Sequence, residues 1–466
     1  MSEPTRIEKD SMGEMTVPAH ALWGASTQRA VENFPISGYR FGRRYIRALG
    51  LIKQAAAMVN AELGVVPKDK CEMIARAADE VIEGRLDDHF VVDIFQTGSG
   101  TSTNMNANEV IANRAIQMAG GRIGSKDPVH PNDHVNQGQS SNDVIPTAMH
   151  VAAAESLRQD LLPAVEKMAA ALEVKARAFD NVVKIGRTHL QDATPIRLGQ
   201  EFSGYAAQMR MAVERCKRAM HALRELPLGG TAVGTGINTH KQFGGRVAKI
   251  LSEKTGVEFV EAANHFEAQH AKDGFVEASG LLRAIAISMS KIANDIRFLA
   301  SGPRCGIGEI SIPETQPGSS IMPGKVNPVM CEMVLQSVAH AIGADAAITH
   351  AAATMGNFDL HVGMPIMAYH FNESVRILSS AARVFTDRCV SGIEVNQQRA
   401  EQLVEQSLAM CTSLAPVIGY DNAAAIAKEA FKTGKTVRQV ALEKGVVAED
   451  ELKKLLDPRD MTHPTE

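Results

Sequence analysis

The chain has 466 residues, more than one ordinary hydrophobic core accommodates, so two or three domains are expected. Apolar residues make up 45% of it and charged residues 22%, with a formal net charge of −4. This balance gives no strong basic field for nucleic acid or an anionic membrane surface, so a small molecule is the expected partner. Charges such as Arg283 and Lys291 interrupt the apolar stretches, and no membrane-spanning segment is expected.

The cysteines and the first residues indicate a compartment. Six cysteines lie at positions 71, 216, 305, 331, 389 and 411, without a CxxC pair or the spacing of a disulfide framework. Reduced thiols fit this pattern best. Residues 1–10 are polar and include acids, unlike a secretory or mitochondrial targeting segment. Both observations predict a cytoplasmic protein.

The apolar pattern predicts an all-α fold in three domains. These are a mixed loop and helix domain at 1–140, a central bundle of long helices at 141–393, and a small helical domain at 394–466. Helices are expected at Leu49–Leu63, Lys68–Glu83, Asn106–Met118, Asp143–Phe179, Leu198–Leu223, Gln242–Thr255, Ala271–Ser301, Val329–Met355 and Met364–Arg388. Several are apolar on more than one face, which is typical of helices buried on more than one side. We therefore expect a bundle core that is shared between subunits.

The first polar cluster is Gln96–Asn106, a run of small hydroxyl and amide residues that leads into a helix from about Asn106. Such a run is either an ordinary helix N-cap cluster or a cradle for carboxylate oxygens. Gly98 and Gly100 do not form a dinucleotide fingerprint, because residue 103 is threonine and no strand–helix–strand context precedes them.

Two more polar clusters follow, His130–Asn136 and Gln139–Asp143. The second is an N-cap cluster at the start of a long helix. The first contains two histidines four residues apart, which suggests a metal site. However, the intervening Pro131 argues against a helical ligand pair, and no third ligand lies nearby, so no metal is expected.

Two connections between long helices are also polar or rich in glycine. Gly186–Pro195 contains His189, and a histidine in such a connection is structural, merely exposed or catalytic. Leu228–Gly236 is rich in glycine, and by itself it is explained as a tight turn between helices.

The stretch Gly318–Pro328 is predicted to be a loop that ends at a helix. Asn327 suits the N-cap and Pro328 the first helical position, so Lys325 would lie just outside a helix N-terminus, a favourable place for an anion. A nucleotide phosphate loop is excluded, because five residues separate Gly318 from Gly324 where that motif has four, and valine follows the lysine. A plain surface loop is the alternative.

Taken together, these stretches resemble the fumarase/aspartase superfamily, and within it the class II fumarases. The matching segments are Gln96–Asn106, His130–Pro146, Gly186–Gly204, Gly229–Gly236 and Gly318–Glu332. Gly324, Ser141 and Thr194 favour the hydratase over the alternative, aspartate ammonia-lyase, which typically has Ala, Thr and Val there.

The resemblance implies a homotetramer in which the central domains merge into one bundle and each active site gathers segments from three subunits. It implies reversible hydration of fumarate to (S)-malate in the tricarboxylic acid cycle, without a metal or an organic cofactor. A helical scaffold that has lost activity is the non-enzymatic alternative. Loss of Ser319, His189, Lys325 or Glu332 would indicate it, and all four are present.

The resemblance also assigns roles to individual residues. Ser319 is the expected base, and His189 acts on the water or hydroxyl and is oriented by Glu332. The substrate-binding residues implied are Ser99, Gly100, Thr101, Ser140, Ser141, Asn142, Thr188, Ser320, Lys325 and Asn327. His130, Pro131, Asn132 and Asp133 match a second dicarboxylate site. The chain departs from the family at Gln137-Gly138, where Lys-Ser is common, and at Thr315-Gln316, where Asn-Glu is common.

Overall fold

The structure is a computed structural model, and it describes residues 4–464. Most of these residues are helical, so the predicted all-α class is confirmed. The helices are α1 (Ala25–Asn33), α2 (Arg43–Glu62), α3 (Lys68–Ile82), α4 (Thr101–Met118), α5 (Ser141–Ser156), α6 (Leu162–Ala178), α7 (Leu198–Ala222), α8 (Phe243–Thr255), α9 (His265–His270), α10 (Asp273–Leu299), α11 (Val329–Thr354), α12 (Met364–Arg388), α13 (Gln397–Gln406), α14 (Ala415–Ile418), α15 (Tyr420–Thr433), α16 (Val437–Lys444) and α17 (Glu449–Leu455).

The strands are short and pair into two-stranded ribbons. They are β1 (Thr5–Asp10), β2 (Gly13–Pro18), β3 (Val183–Thr188), β4 (Gln191–Arg197), β5 (Glu225–Leu226), β6 (Val260–Glu261), β7 (Ile310–Ser311), β8 (Gly356–Asn357), β9 (Leu360–His361) and β10 (Glu394–Val395). The pairs are β1–β2, β3–β4, β5–β6, β7–β10 and β8–β9, and only β5–β6 is parallel.

The helix predicted at Asp143–Phe179 is divided. Its two parts, α5 and α6, are separated by a π-helical turn at Leu157–Leu161. Pro163 follows that turn, and a proline inside a helix has no N–H for the carbonyl four residues earlier and clashes with it. The wider π turn accommodates the proline without ending the helical path.

The chain forms two compact units. The first comprises residues 4–163, 214–286 and 339–379, and the second comprises 164–213, 287–338 and 380–464. Their boundaries fall inside α6, α7, α10, α11 and α12. The three-domain division stays a prediction.

In the first unit, α2 packs against α3, α5 and α8. Every residue of α5 from Asp143 to Ser156 is buried, including Asp143 itself, His150 and Glu155. The expectation of helices buried on more than one side is therefore confirmed for α5. No helix within residues 4–464 has the length and apolarity needed to cross a membrane.

In the second unit, the short C-terminal helices share a core of their own. Its buried members include Val404, Leu414, Ile426, Val440 and Leu452. Ile185, which lies on β3, belongs to the same core. The β3–β4 hairpin is therefore fixed on one side by apolar packing.

His150 makes the stability of the protein dependent on pH. Its Nδ1 lies 2.9 Å from the carbonyl oxygen of Glu225, and burial lowers its pKa to about 4. In the unfolded chain this imidazole binds a proton near pH 6.5, whereas in the folded chain it does so only near pH 4. Above pH 6.5 the imidazole is neutral in both states and the folded state keeps its full stability. As the pH falls from 6.5 towards 4, protonation of the unfolded chain lowers the free energy of unfolding. We expect the free energy of unfolding to drop by about 3 kcal/mol over that range through this group.

Chemical denaturation at pH 4, 5, 6 and 7 measures this dependence. His150→Asn keeps an N–H donor for the carbonyl but does not titrate, so its stability should vary less with pH in this window. If the free energy of unfolding depended equally on pH in the variant and the wild type, His150 would not be the group responsible.

Candidate active site

Ser99, Thr101 and Ser141 form a chain of hydroxyl groups in the first unit. The Oγ of Ser99 lies 2.9 Å from Oγ1 of Thr101, which lies 2.8 Å from Oγ of Ser141. Thr101 and Ser141 are the first residues of α4 and α5, so two helix N-termini meet at this chain. Helix N-termini carry a partial positive charge and free N–H groups, which favour anions.

The start of α4 differs from the prediction, since the helix begins at Thr101 and not near Asn106. Its early N–H groups have an unforeseen partner, because Oε1 of Gln96 accepts from the backbone N and the Oγ1 of Thr103 at 3.0 and 2.9 Å. This bond compensates for the low helix propensity of the Thr and Asn residues that follow.

The glycines before α4 have no room for a side chain. Gly100 has a φ of +73°, and an added Cβ would lie 2.8 Å from the Cγ2 of Ile145. An added Cβ on Gly98 would overlap the carbonyl oxygen of Val362. The packing of Gly100 against the side chain of Ile145 brings the polar run next to α5.

Asp143 connects the start of α5 to the second glycine-rich loop. Its Oδ1 accepts from the backbone N–H of Ser140 at 2.9 Å, and its Oδ2 accepts from Gly229 and Thr231 at 3.1 and 2.9 Å. Asn142 adds a bond from its Nδ2 to the carbonyl of Ala232 at 2.8 Å. Burial raises the pKa of Asp143 to about 6, against the lowering effect of these N–H bonds. Leu228–Gly236 is thus more than a turn between helices, because it is bound to the predicted substrate-binding cluster.

The predicted second dicarboxylate site, His130–Asp133, forms part of a π-helical turn at Pro131–Val135. Pro131 begins this turn and does not prevent it, since a first helical position needs no N–H. The Nδ1 of His130 accepts from the backbone N of Asn132 and Asp133 at 3.2 and 3.1 Å. The Nδ1 of His134 accepts from the backbone N of His130 at 2.8 Å. The two imidazoles thus cap backbone groups and do not converge on one point.

A cavity of about 170 Å³ adjoins this turn. It is lined by His130 and Asn132, by Lys126, and by the carboxylate-bearing Asp10 and Glu109. No group of three or more His, Cys, Asp or Glu side chains suited to a metal ion occurs among residues 4–464.

The Gly318–Pro328 loop, in the second unit, is closed at its base. The backbone N of Gly318 donates to the carbonyl of Lys325 at 2.8 Å, and Nδ2 of Asn327 donates to the carbonyl of Gly318 at 2.7 Å. The Oγ of Ser319 accepts from the backbone N of Ile321 and Met322 at 3.2 and 3.0 Å. Lys325 and Ser320 are exposed.

The helix after this loop begins at Val329, as in the predicted range, but its cap differs from the prediction. The carbonyl of Pro328 accepts from the backbone N of Cys331 and Glu332, so Pro328 lies at the N-cap. Asn327 does not cap the helix, because its side chain is used to close the loop. Glu332 is half-buried in the first turn of α11.

His189 lies at the tip of the β3–β4 hairpin, where the sequence predicted only a polar connection. His189 and Leu190 are the two turn residues and have φ values of +56° and +59°. Positive φ at both positions is the geometry of a type I′ turn, which matches the twist of hairpins. Thr188 and His189 are exposed. In this chain His189 and Glu332 make no hydrogen bond to each other within residues 4–464, and their predicted pairing stays a prediction.

A buried ion-pair cluster anchors this hairpin. Arg187 donates to both carboxylate oxygens of Glu309, at 2.9 and 3.0 Å, and Lys184 lies 3.3 Å from Glu309 and from Glu201. Glu309 and Lys184 are almost completely buried. No sequence pattern predicts this cluster, because Glu309 is 122 residues from Arg187.

Removal of the Glu309 charge should therefore be costly. In Glu309→Gln two buried cations lose their shared partner, and we expect the free energy of unfolding to fall by about 3–5 kcal/mol. Chemical denaturation measures it. Glu373→Gln breaks the exposed pair with Arg376 and should change it by less than about 1 kcal/mol. A similar loss in both variants would show that the buried cluster has no special role.

Comparison with known proteins places these clusters in a family. The chain matches a lyase family model over residues 13–343 and a model of the fumarase C C-terminus over residues 410–463. It is 57% identical over 463 residues to a class II fumarate hydratase of Halobacterium salinarum, covering 99% of this chain and 98% of that one. It is 51% identical to the mitochondrial fumarate hydratase of Danio rerio, covering 99% of this chain and 91% of that one.

Solved structures agree with this result. The class II fumarase of Schistosoma mansoni superposes with a TM-score of 0.96 at 36% identity, covering 99% of this chain and 100% of that one. The crystal structure of a fumarate lyase:delta crystallin from Brucella melitensis bound to cobalt superposes with a TM-score of 0.94 at 46% identity. The match covers 99% of this chain and 100% of that one. The chain therefore belongs to the class II fumarate hydratase family of lyases.

Proposed function

We propose that this chain hydrates fumarate reversibly to (S)-malate, with Ser319 as the base of the malate direction. The observation that carries this assignment is the pair of backbone N–H groups, from Ile321 and Met322, that point at Oγ of Ser319. A serine hydroxyl is a very weak base, but hydrogen bonds to its anion favour the charged form. Two fixed donors on one oxygen are the environment that a serine alkoxide needs.

The proposed reaction has two proton transfers, one at each end of the substrate. In the malate direction the alkoxide of Ser319 removes a proton from the carbon next to a carboxylate, and the electron pair moves into that carboxylate to give an aci-carboxylate. An acid at the other end, which we assign to His189, protonates the hydroxyl group as the C–O bond breaks, and water leaves. Hydration is the reverse sequence. Glu332 would orient the imidazole and favour its protonated form.

The first unit supplies the expected anion site. The hydroxyl chain of Ser99, Thr101 and Ser141, with the N-termini of α4 and α5, would bind one substrate carboxylate and the negative charge that develops on it. The remaining substrate contacts are assigned to Gly100, Ser140, Asn142, Thr188, Ser320, Lys325 and Asn327.

We also propose the homotetramer that the resemblance implies. Long helices of the chain expose large apolar side chains, namely Met211 on α7, Ile287 and Phe298 on α10, Ile342 on α11 and Val384 on α12. Exposed apolar side chains on these helices support contacts with other subunits. A site assembled from several subunits would let one chain's His189 meet another chain's Glu332.

We also propose a location for the second dicarboxylate site and a cellular compartment. The cavity beside His130–Asp133, with Lys126 on its wall, is our candidate for the second dicarboxylate site. No disulfide joins the cysteines within residues 4–464, which favours a reducing compartment, and we propose the cytoplasm. The relative from Danio rerio is mitochondrial by name.

The reaction is tested by following the absorbance of the fumarate double bond with (S)-malate or L-aspartate as the only substrate. We expect fumarate from malate and none from aspartate. Fumarate from aspartate with release of ammonia would favour the ammonia-lyase alternative, and no product from either would favour an inactive scaffold.

Ser319→Ala tests the base. We expect kcat to fall by about 10²–10⁴-fold, the usual contribution of a positioned acid or base, with an unchanged unfolding temperature. Ser311→Ala is the matched control, because the hydroxyl of this exposed serine bonds Asn396, which is not assigned to the site. Activity within a few-fold of wild type in Ser319→Ala would remove Ser319 from the mechanism.

His189→Asn tests the acid at the other end. Asparagine tolerates positive φ, so the type I′ turn should persist while proton transfer is lost. We expect kcat to fall by about 10²–10⁴-fold and one limb of the pH–rate profile to disappear. A profile that keeps both limbs would count against His189.

A further inference from the structure

Lys53 is a buried lysine whose ammonium group forms no salt bridge with a carboxylate within residues 4–464. It lies on α2, its side chain is fully buried, and its Nζ donates to Oδ1 of Asn136 and Oε1 of Gln139, both at 2.9 Å. Burial of an ammonium group is costly unless its protons have partners. Two amide oxygens of one short turn are the partners here.

The turn that Lys53 holds joins the two helix starts described above. Oδ1 of Asn136 also accepts from Nδ2 of Asn104 and Asn108 on α4, at 3.2 Å each. Nδ2 of Asn136 donates to the carbonyl of Gln139 at 3.0 Å, which folds the turn on itself. The next residue, Ser140, is the N-cap of α5.

We propose that Lys53 is a positioning residue, which fixes the turn 136–139 so that the Ser140–Asn142 cluster faces Thr101 and binds the substrate carboxylate. The ammonium has no path to the substrate of its own, since it acts through Asn136 and Gln139. This inference rests on the proposed function, because it takes the Ser140–Asn142 cluster to be a substrate site.

The geometry separates this role from general support of the fold. Gln54, the next residue of α2, is also buried, but its Nε2 donates to Asp79 and to the carbonyl of Ala75 on α3, away from the turn. Loss of either side chain would weaken the packing around α2. Of these two changes, loss of the Lys53 ammonium alone would remove hydrogen bonds to the turn 136–139.

Lys53→Met keeps the length of the side chain and removes its donors, and Gln54→Met is the matched control. We expect the KM for (S)-malate to rise about tenfold in Lys53→Met, as for one buried hydrogen-bonded contact left unmade, with kcat changed less than threefold. Amide hydrogen exchange of the peptide covering 136–142 should accelerate about tenfold. Gln54→Met should lower the unfolding temperature but leave KM and this exchange unchanged.

Gln139→Met removes one acceptor of Nζ, together with the bonds from Nε2 of Gln139 to the carbonyls of Val135 and Gln137, and leaves Lys53 in place. It covers the case in which Lys53→Met does not fold. It should raise KM and accelerate exchange in the same direction. Unchanged exchange at 136–142 overturns the inference whether or not the protein is active. Faster exchange with an unchanged KM overturns it too, because Lys53 would then be only structural.

The two hypotheses fail in different ways. If the wild type produces no fumarate from (S)-malate, the proposed function fails first, and the substrate-positioning role fails with it. If the wild type is active but Lys53→Met and Gln54→Met have the same KM, only the inference fails.

Discussion

The polar clusters of the first unit depend on one buried carboxylate, that of Asp143. It accepts backbone N–H bonds from Ser140 at the start of α5 and from Gly229 and Thr231 in the glycine-rich loop. Each of these donors would be costly if it were buried without a partner. A carboxylate has two oxygens and about four acceptor positions, whereas a serine or threonine cap offers a single oxygen. One side chain can therefore hold two segments that lie 86 residues apart.

In the second unit, a buried ion pair holds the β3–β4 hairpin in place. The hairpin turn at His189 and Leu190 contains no glycine, although both residues have positive φ, so the turn residues alone do not favour this conformation. The Arg187–Glu309 ion pair and the packing of Ile185 fix β3 close to the turn. Buried ion pairs are weak sources of net stability but strongly oppose any arrangement that separates them. That property suits the role proposed for this hairpin, which is to hold the imidazole of His189 in place.

The sequence predicted the positions of the long helices well, because each is a long run with helical apolar periodicity. The predictions failed at details that apolar periodicity does not specify. The start of α4 depends on Gln96, the hairpin at His189 lacks the usual turn glycine, and a π turn before Pro163 divides the helix predicted at Asp143–Phe179. For the site, the resemblance selected Ser99, Thr101 and Ser141, and the structure brings their hydroxyls together. Lys53, Asp143 and Glu309 were not predicted as organising residues, since their partners are remote in sequence.

The proposed site is built mainly from neutral donors, and this has a physical reason. The substrate is a dianion, and removal of its proton adds a further negative charge, so the site must favour the more charged species over the less charged one. Flexible cations would bind both strongly, whereas backbone N–H groups at the starts of α4 and α5 and in the Ser319 loop are fixed in direction before the charge develops. Fixed dipoles need no reorganisation during the reaction, which is the main source of electrostatic stabilisation in enzymes. In the proposed site, Lys325, which is exposed on the loop, would attract a carboxylate. Discrimination in favour of the more charged species would then come from the backbone N–H groups that Asp143 and the loop's own hydrogen bonds hold in place.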